Sequence, residues 1–70
     1  MRLSARNQLQ GTVVSVKEGA VMAEVLVRLP GGQEIVSVIT VGSVHNLGIK
    51  PGASVVVVVK ATEVMLGIDE

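Results

Sequence analysis

The amino-acid sequence predicts an all-β chain, a five-stranded OB-like barrel with one short helix between strands 3 and 4. Three observations carry this. Valine fills sixteen of the 70 positions, and a β-branched side chain, stiff at χ1, favours the pleated strand over the helix. Turn signals at Glu18-Gly19, Pro30-Gly31-Gly32 and Lys50-Pro51-Gly52 divide the chain into short apolar runs. A three-residue period replaces the two-residue one only once, just after Thr40. Three strands, a short helix and two more strands is the order of an OB-type barrel.

Each element has its own warrant. Strand 1 is expected over about Asn7 to Lys17, with Leu9 and Val13 on one face and Val14 and Val16 on the other. The adjacent Val13-Val14 pair breaks alternation, so either a bulge lies there or both faces are covered. Gly11, in mid-strand, fits a sharp bend or a close backbone approach. Strand 2, about Ala20 to Leu29, places Val21, Ala23, Val25, Val27 and Leu29 on one face; Glu24 and Arg28 mark the other, which Met22 and Leu26 share. Pro30-Gly31-Gly32 turns the chain into strand 3, about Gln33 to Thr40, where Ile35 and Ile39 oppose Val36 and Val38. Val41, Val44 and Leu47 then recur at helical spacing. Thr40 is the N-cap, Gly48 the C′ residue, and Pro51 follows shortly after. Gly42 weakens this two-turn helix. Strand 4, Ser54 to Lys60, carries five consecutive valines, a run that implies burial on both faces. Val64 to Ile68 is the fifth strand.

Seventy residues suffice for one domain, 1–70, with a thin core that needs a staple or a partner. There is no cysteine, and a lone His45 makes no zinc site. The hydrophobic fraction is 49%, more apolar surface than one small barrel hides, so burial between subunits is expected. Six basic and six acidic residues cancel, which argues against general attraction to nucleic acid or anionic membrane. The longest unbroken valine run, Val55 to Val59, is far too short to span a bilayer. Met1-Arg2-Leu3-Ser4 has no signal-peptide apolar region, so a cytoplasmic location is expected.

Candidate binding residues cluster at the start. Ser4 and Arg6 are two apart and share a face on an extended backbone. A hydroxyl and a forked cation on one face suit an oxyanion; the competing reading is a solvated N-terminal arm. Nothing pairs a nucleophile with a base, so no enzyme is indicated. OB barrels that bind nucleic acid use aromatic platforms and a basic groove. This chain has no aromatic residue and no net charge.

Four segments, in this order, resemble the molbindins: Ser4-Ala5-Arg6-Asn7-x-Leu9-x-Gly11, Glu18-Gly19-Ala20-Val21, Leu29-Pro30-Gly31-Gly32 and Lys60-Ala61-Thr62-Glu63-Val64. Molbindins are small molybdate- and tungstate-binding proteins. Their Mop, or transport-associated OB (TOBE), fold also occurs in molybdate-responsive regulators and transporter ATPases. The resemblance covers nearly the whole chain. It implies a homohexamer, a trimer of dimers, with oxyanions held between subunits. One class of site would draw Ser4, Arg6, Lys60 and Ala61 from one chain and Thr40 and Ser43 from its neighbour. A second class would lie near the threefold axis, around the backbone of Gly19, Ala20 and Val21. Two positions depart from the family pattern. Met22 stands where a small polar residue is usual, and Gly42 where an acidic one is. Gly42 either loosens the helix or lets an anion closer to the backbone.

The chemistry agrees with the resemblance. Molybdate is a tetrahedral dianion whose oxygens only accept hydrogen bonds. Arg6 and Lys60 bring donors and two positive charges, Ser4, Thr40 and Ser43 bring hydroxyls, and the helix start brings unpaired backbone N–H groups. Glu63 would oppose binding and is expected to point away. The function so implied is intracellular storage or buffering of molybdate or tungstate. The alternative is a ligand-responsive regulatory or assembly module in molybdate sensing.

Overall fold

A computed structural model describes all residues, 1–70. Strands β1 (Asn7–Glu18), β2 (Met22–Arg28) and β3 (Glu34–Thr40) precede helix α1 (Val41–Leu47), strand β4 (Ser54–Val59) and a 3-10 turn at Ala61–Glu63. The strands form one antiparallel sheet in the order β3-β2-β1-β4. β1 is the long central strand: its first half pairs with β4 and its second half with β2. The sheet curls around a core of Val13, Ala23, Val25, Val27 and Val44, the only fully buried residues.

The bulge resolves the Val13-Val14 ambiguity. Register slips between Val13, opposite Val27, and Ser15, opposite Leu26, so Val14 is the extra residue. This moves Val16 onto the inner face with Val13, where it pairs with Val25 and packs against the core. The expectation that Val16 lies on the face opposite Val13 is therefore wrong: one inserted residue inverts the parity of everything after it. The bulge is also anchored from the other side. Val13 N–H donates to Ala53 at 2.9 Å and its carbonyl accepts from Gly52 N–H at 2.8 Å, tying the turn before β4 to β1.

Gly11 answers to close approach. A Cβ there would meet Val27 Cγ1 at 2.5 Å and the Arg28 carbonyl at 3.2 Å. The helix matches its sequence signals at both ends. The Thr40 side chain accepts from Ser43 N–H, and Gly48, at φ 65°, ends α1 in the left-handed region. Val44 carries the helix into the core, while Leu47 stays exposed.

Two further expectations are corrected. The fifth strand over Val64–Ile68 does not form within the chain. The 3-10 turn carries the backbone out of the sheet, and Val64–Ile68 pairs with neither of the open edges, β3 and β4, of its own chain. Met65, Leu66 and Ile68 are 92%, 95% and 90% exposed. The structure is therefore a curled four-stranded half-barrel with one helix. Nor is β4 buried on both faces within one chain. Val55 and Val57 pack against the core, but none of the five valines is fully buried and Val58 is exposed. No second layer of this chain covers that face.

Gly11→Ala is expected to cost about 1–3 kcal/mol, since the added methyl must displace both the Val27 side chain and strand backbone. Urea unfolding curves check this, and a variant as stable as the parent would contradict the close-approach assignment.

Candidate functional site

Strand register builds the site. β1 and β4 begin and end together, with Asn7 opposite Val59. Continuing that antiparallel register one step outward sets Arg6 beside Lys60. An open cleft of about 590 Å³ lies there, walled by Ser4, Ala5, Arg6 and Asn7 on one side and Lys60, Ala61 and Thr62 on the other. Four of the six expected site residues, Ser4, Arg6, Lys60 and Ala61, thus meet in one place.

The electrostatics of this cleft are one-sided. No carboxylate lines it. Arg28 pairs with Glu34 at 2.7 Å and Glu18 contacts the His45 ring at 3.3 Å, so neither Arg6 nor Lys60 has an anionic partner. Glu63 is exposed and outside the lining, as an anion site requires. The two cations, the Ser4 and Thr62 hydroxyls and the Asn7 carboxamide make a surface of hydrogen-bond donors without a fixed counter-charge. Arg6 and Lys60 are both exposed, so in one chain water screens them. Covering the cleft would strengthen their attraction for an anion several-fold by lowering the local dielectric.

A slightly larger hollow, about 630 Å³, lies between Gln10–Val14, Arg28–Pro30 and Ser54. Its one cation, Arg28, is already neutralised by Glu34, so it offers an anion less than the smaller cleft does.

Thr40 and Ser43 stand apart from the Arg6–Lys60 cleft. At the start of α1, the Thr40 hydroxyl accepts from Ser43 N–H at 3.0 Å and donates to Ser43 Oγ at 2.8 Å. The two hydroxyls share one hydrogen bond, so one proton of the pair is left free to donate outward. The first helical turn carries no acid, and a Cβ on Gly42 would meet nothing nearer than Thr40 Oγ1 at 3.9 Å, so this surface is open. A single chain therefore gathers four of the expected residues and holds the other two elsewhere.

The backbone around Gly19, Ala20 and Val21 is less suited to an anion. Gly19 N–H is spent on the Met22 carbonyl at 2.8 Å, and Val21 offers its carbonyl to Val41 N–H. Glu18 and Glu24 line the adjoining hollow against a single cation, Lys17, which leaves it net negative. Sequence reasoning missed Asn7 and Thr62 as cleft residues. Their signal was contiguity, since each continues a segment already singled out.

The residues match known proteins along almost their full length. A model of the TOBE domain matches residues 3–66. Molybdenum-pterin-binding protein 2 of Clostridium pasteurianum is 52% identical over 66 residues, 94% of this chain and 97% of that protein. A molybdate-binding protein from Sporomusa ovata superposes with a TM-score of 0.91 at 40% identity, over 97% of this chain and 100% of that one. The cytoplasmic molybdate-binding protein ModG, solved with molybdate bound, gives a TM-score of 0.93 at 54% identity, over 99% of this chain and 49% of that one. These relatives are described as binding proteins, and their shared fold is the curled sheet with one short helix found here. On the family match and the near-complete alignment together, this chain belongs to the TOBE-domain family.

Proposed function

We propose that this protein binds molybdate or tungstate as the oxyanion between subunits of a homo-oligomer, and so stores or buffers it inside the cell. The observation that carries the reading is the cleft in which Arg6 and Lys60, both without anionic partners, stand in a lining that holds no carboxylate. A tetrahedral dianion meets two formal positive charges there and needs acceptors for none of its oxygens. The Thr40–Ser43 hydroxyl pair at the start of α1, with its one free proton, is a complementary donor for the exposed side of such an anion, supplied by a neighbouring chain. Similarity to molybdate-binding proteins supports the choice of oxyanion.

The assembly follows from what a single chain leaves uncovered. β3 and β4 are the two outer strands of the sheet, and neither pairs with the other. Between them runs a hollow of about 250 Å³ lined by Val25, Val27, Ile39, Leu47, Ile49 and Val55–Val58, with Ser37 its only polar residue. The segment predicted as a fifth strand, Val64–Ile68, is apolar and exposed rather than lying there. Each chain thus has an apolar gap and an apolar arm, and on this reading the arm of one chain is the occupant of the gap of another. Dimers so formed, closing into a hexamer, would set the cleft of one subunit against the helix start of its neighbour.

Three outcomes are expected. The chain truncated after Glu63 should lose the stable oligomer in sedimentation, whereas an unchanged sedimentation coefficient would contradict the role of the arm. Arg6→Ala and Lys60→Ala should each weaken molybdate binding roughly ten- to a hundredfold, the loss of one charge-assisted hydrogen bond. Their circular dichroism and oligomer size should stay at parental values, since neither residue is buried. Calorimetric titration should also rank molybdate and tungstate above sulfate and phosphate, which are smaller and span fixed donors poorly. Equal affinity for sulfate would refute the selectivity.

A further inference from the structure

One side chain beside the cleft is absorbed neither by the core nor by the anion site. Gln8 lies in β1 opposite Val58, and its carboxamide folds back three residues so that Nε2 donates to the Ala5 carbonyl at 2.7 Å. Ala5 lies in the middle of the Ser4–Asn7 wall, before regular β1 pairing begins. Its carbonyl and the Arg6 N–H are the two ends of a single planar trans peptide and point in opposite directions. The Arg6 N–H makes no hydrogen bond within the chain.

We propose that Gln8 is the positioning residue of this cleft: by holding the Ala5 carbonyl it fixes the Ala5–Arg6 peptide, keeping a carbonyl oxygen away from the anion and leaving the Arg6 N–H as a donor. The inference rests on the oxyanion reading of the cleft. Its physical content is preorganisation. Ser4 and Arg6 stand on a segment outside the sheet ladder, where the chain would otherwise sample several conformations. A free peptide there could rotate its carbonyl toward the site, where its negative end would repel a dianion. The Gln8 clamp removes that option before the ligand arrives. It contributes little to the fold, since Gln8 is exposed and its bond is local.

The test is molybdate titration of the assembled protein carrying Gln8→Met, a side chain of similar length without a donor, alongside Gln8→Glu and Arg6→Ala. Gln8→Met should bind roughly three- to tenfold more weakly, the effect of one neutral hydrogen bond, with melting temperature and oligomer size at parental values. Gln8→Glu, which also places a negative charge beside the anion, should bind more weakly still. In ¹H–¹⁵N spectra, the change in the Arg6 amide resonance on adding molybdate should be reduced in Gln8→Met. The proposal is overturned if Gln8→Met binds as the parent does while Arg6→Ala is impaired, a result that leaves the oxyanion site standing. A lowered melting temperature in Gln8→Met would assign the residue to the strand and overturn it as well. If Arg6→Ala itself binds normally, the oxyanion reading fails and the positioning role falls with it.

Discussion

The constraint on which the structure depends is a shortage of cover. Five side chains are fully buried, all of them valine or alanine, while thirteen large hydrophobic residues remain exposed. Burial of apolar surface is the main favourable term in folding, and five small side chains supply little of it against the ordering of 70 residues. Several of them fall on the two outer strands and the arm. Val36 and Val38 lie on β3, Val58 on β4, and Met65, Leu66 and Ile68 on the arm beyond the sheet. On the proposed function another chain covers this surface, and the same contact that supplies the missing core also closes the anion site. Stability and binding would then share one interface, which explains why the cleft alone is open and its cations screened.

Most of the fold was legible because its signals are local. Thr40 and Gly48 bound the helix through side-chain and backbone chemistry confined to one turn each. Pro30-Gly31-Gly32 turns β2 into β3 through Gly32, at φ 94°. What failed to be legible depends on partners outside the segment. The face of Val16 is set by a bulge whose position the paired strand determines. The arm has the composition of a strand, yet composition does not say which edge the preceding turn delivers it to, and here it reaches neither open edge of its own sheet.

The site divides along the same line. Both walls of the cleft could be named from sequence, through the segments Ser4–Asn7 and Lys60–Thr62, and register between β1 and β4 explains why segments over fifty residues apart in the chain lie side by side. Gln8 was invisible in sequence, because its importance comes from one side chain folding back on one carbonyl. Thr40 and Ser43 sit where the sequence put them, capping the helix, but one chain does not bring them to Arg6 and Lys60.

Diffraction from crystals soaked in tungstate tests the central claim most directly, because the anomalous signal of the heavy atom locates every bound anion without reference to any assumed ligand. The account predicts a peak in the cleft between Ser4–Arg6 and Lys60–Ala61 of one subunit, faced by Thr40 and Ser43 of the next. Peaks confined to other surfaces, with this cleft empty at saturating tungstate, would contradict it.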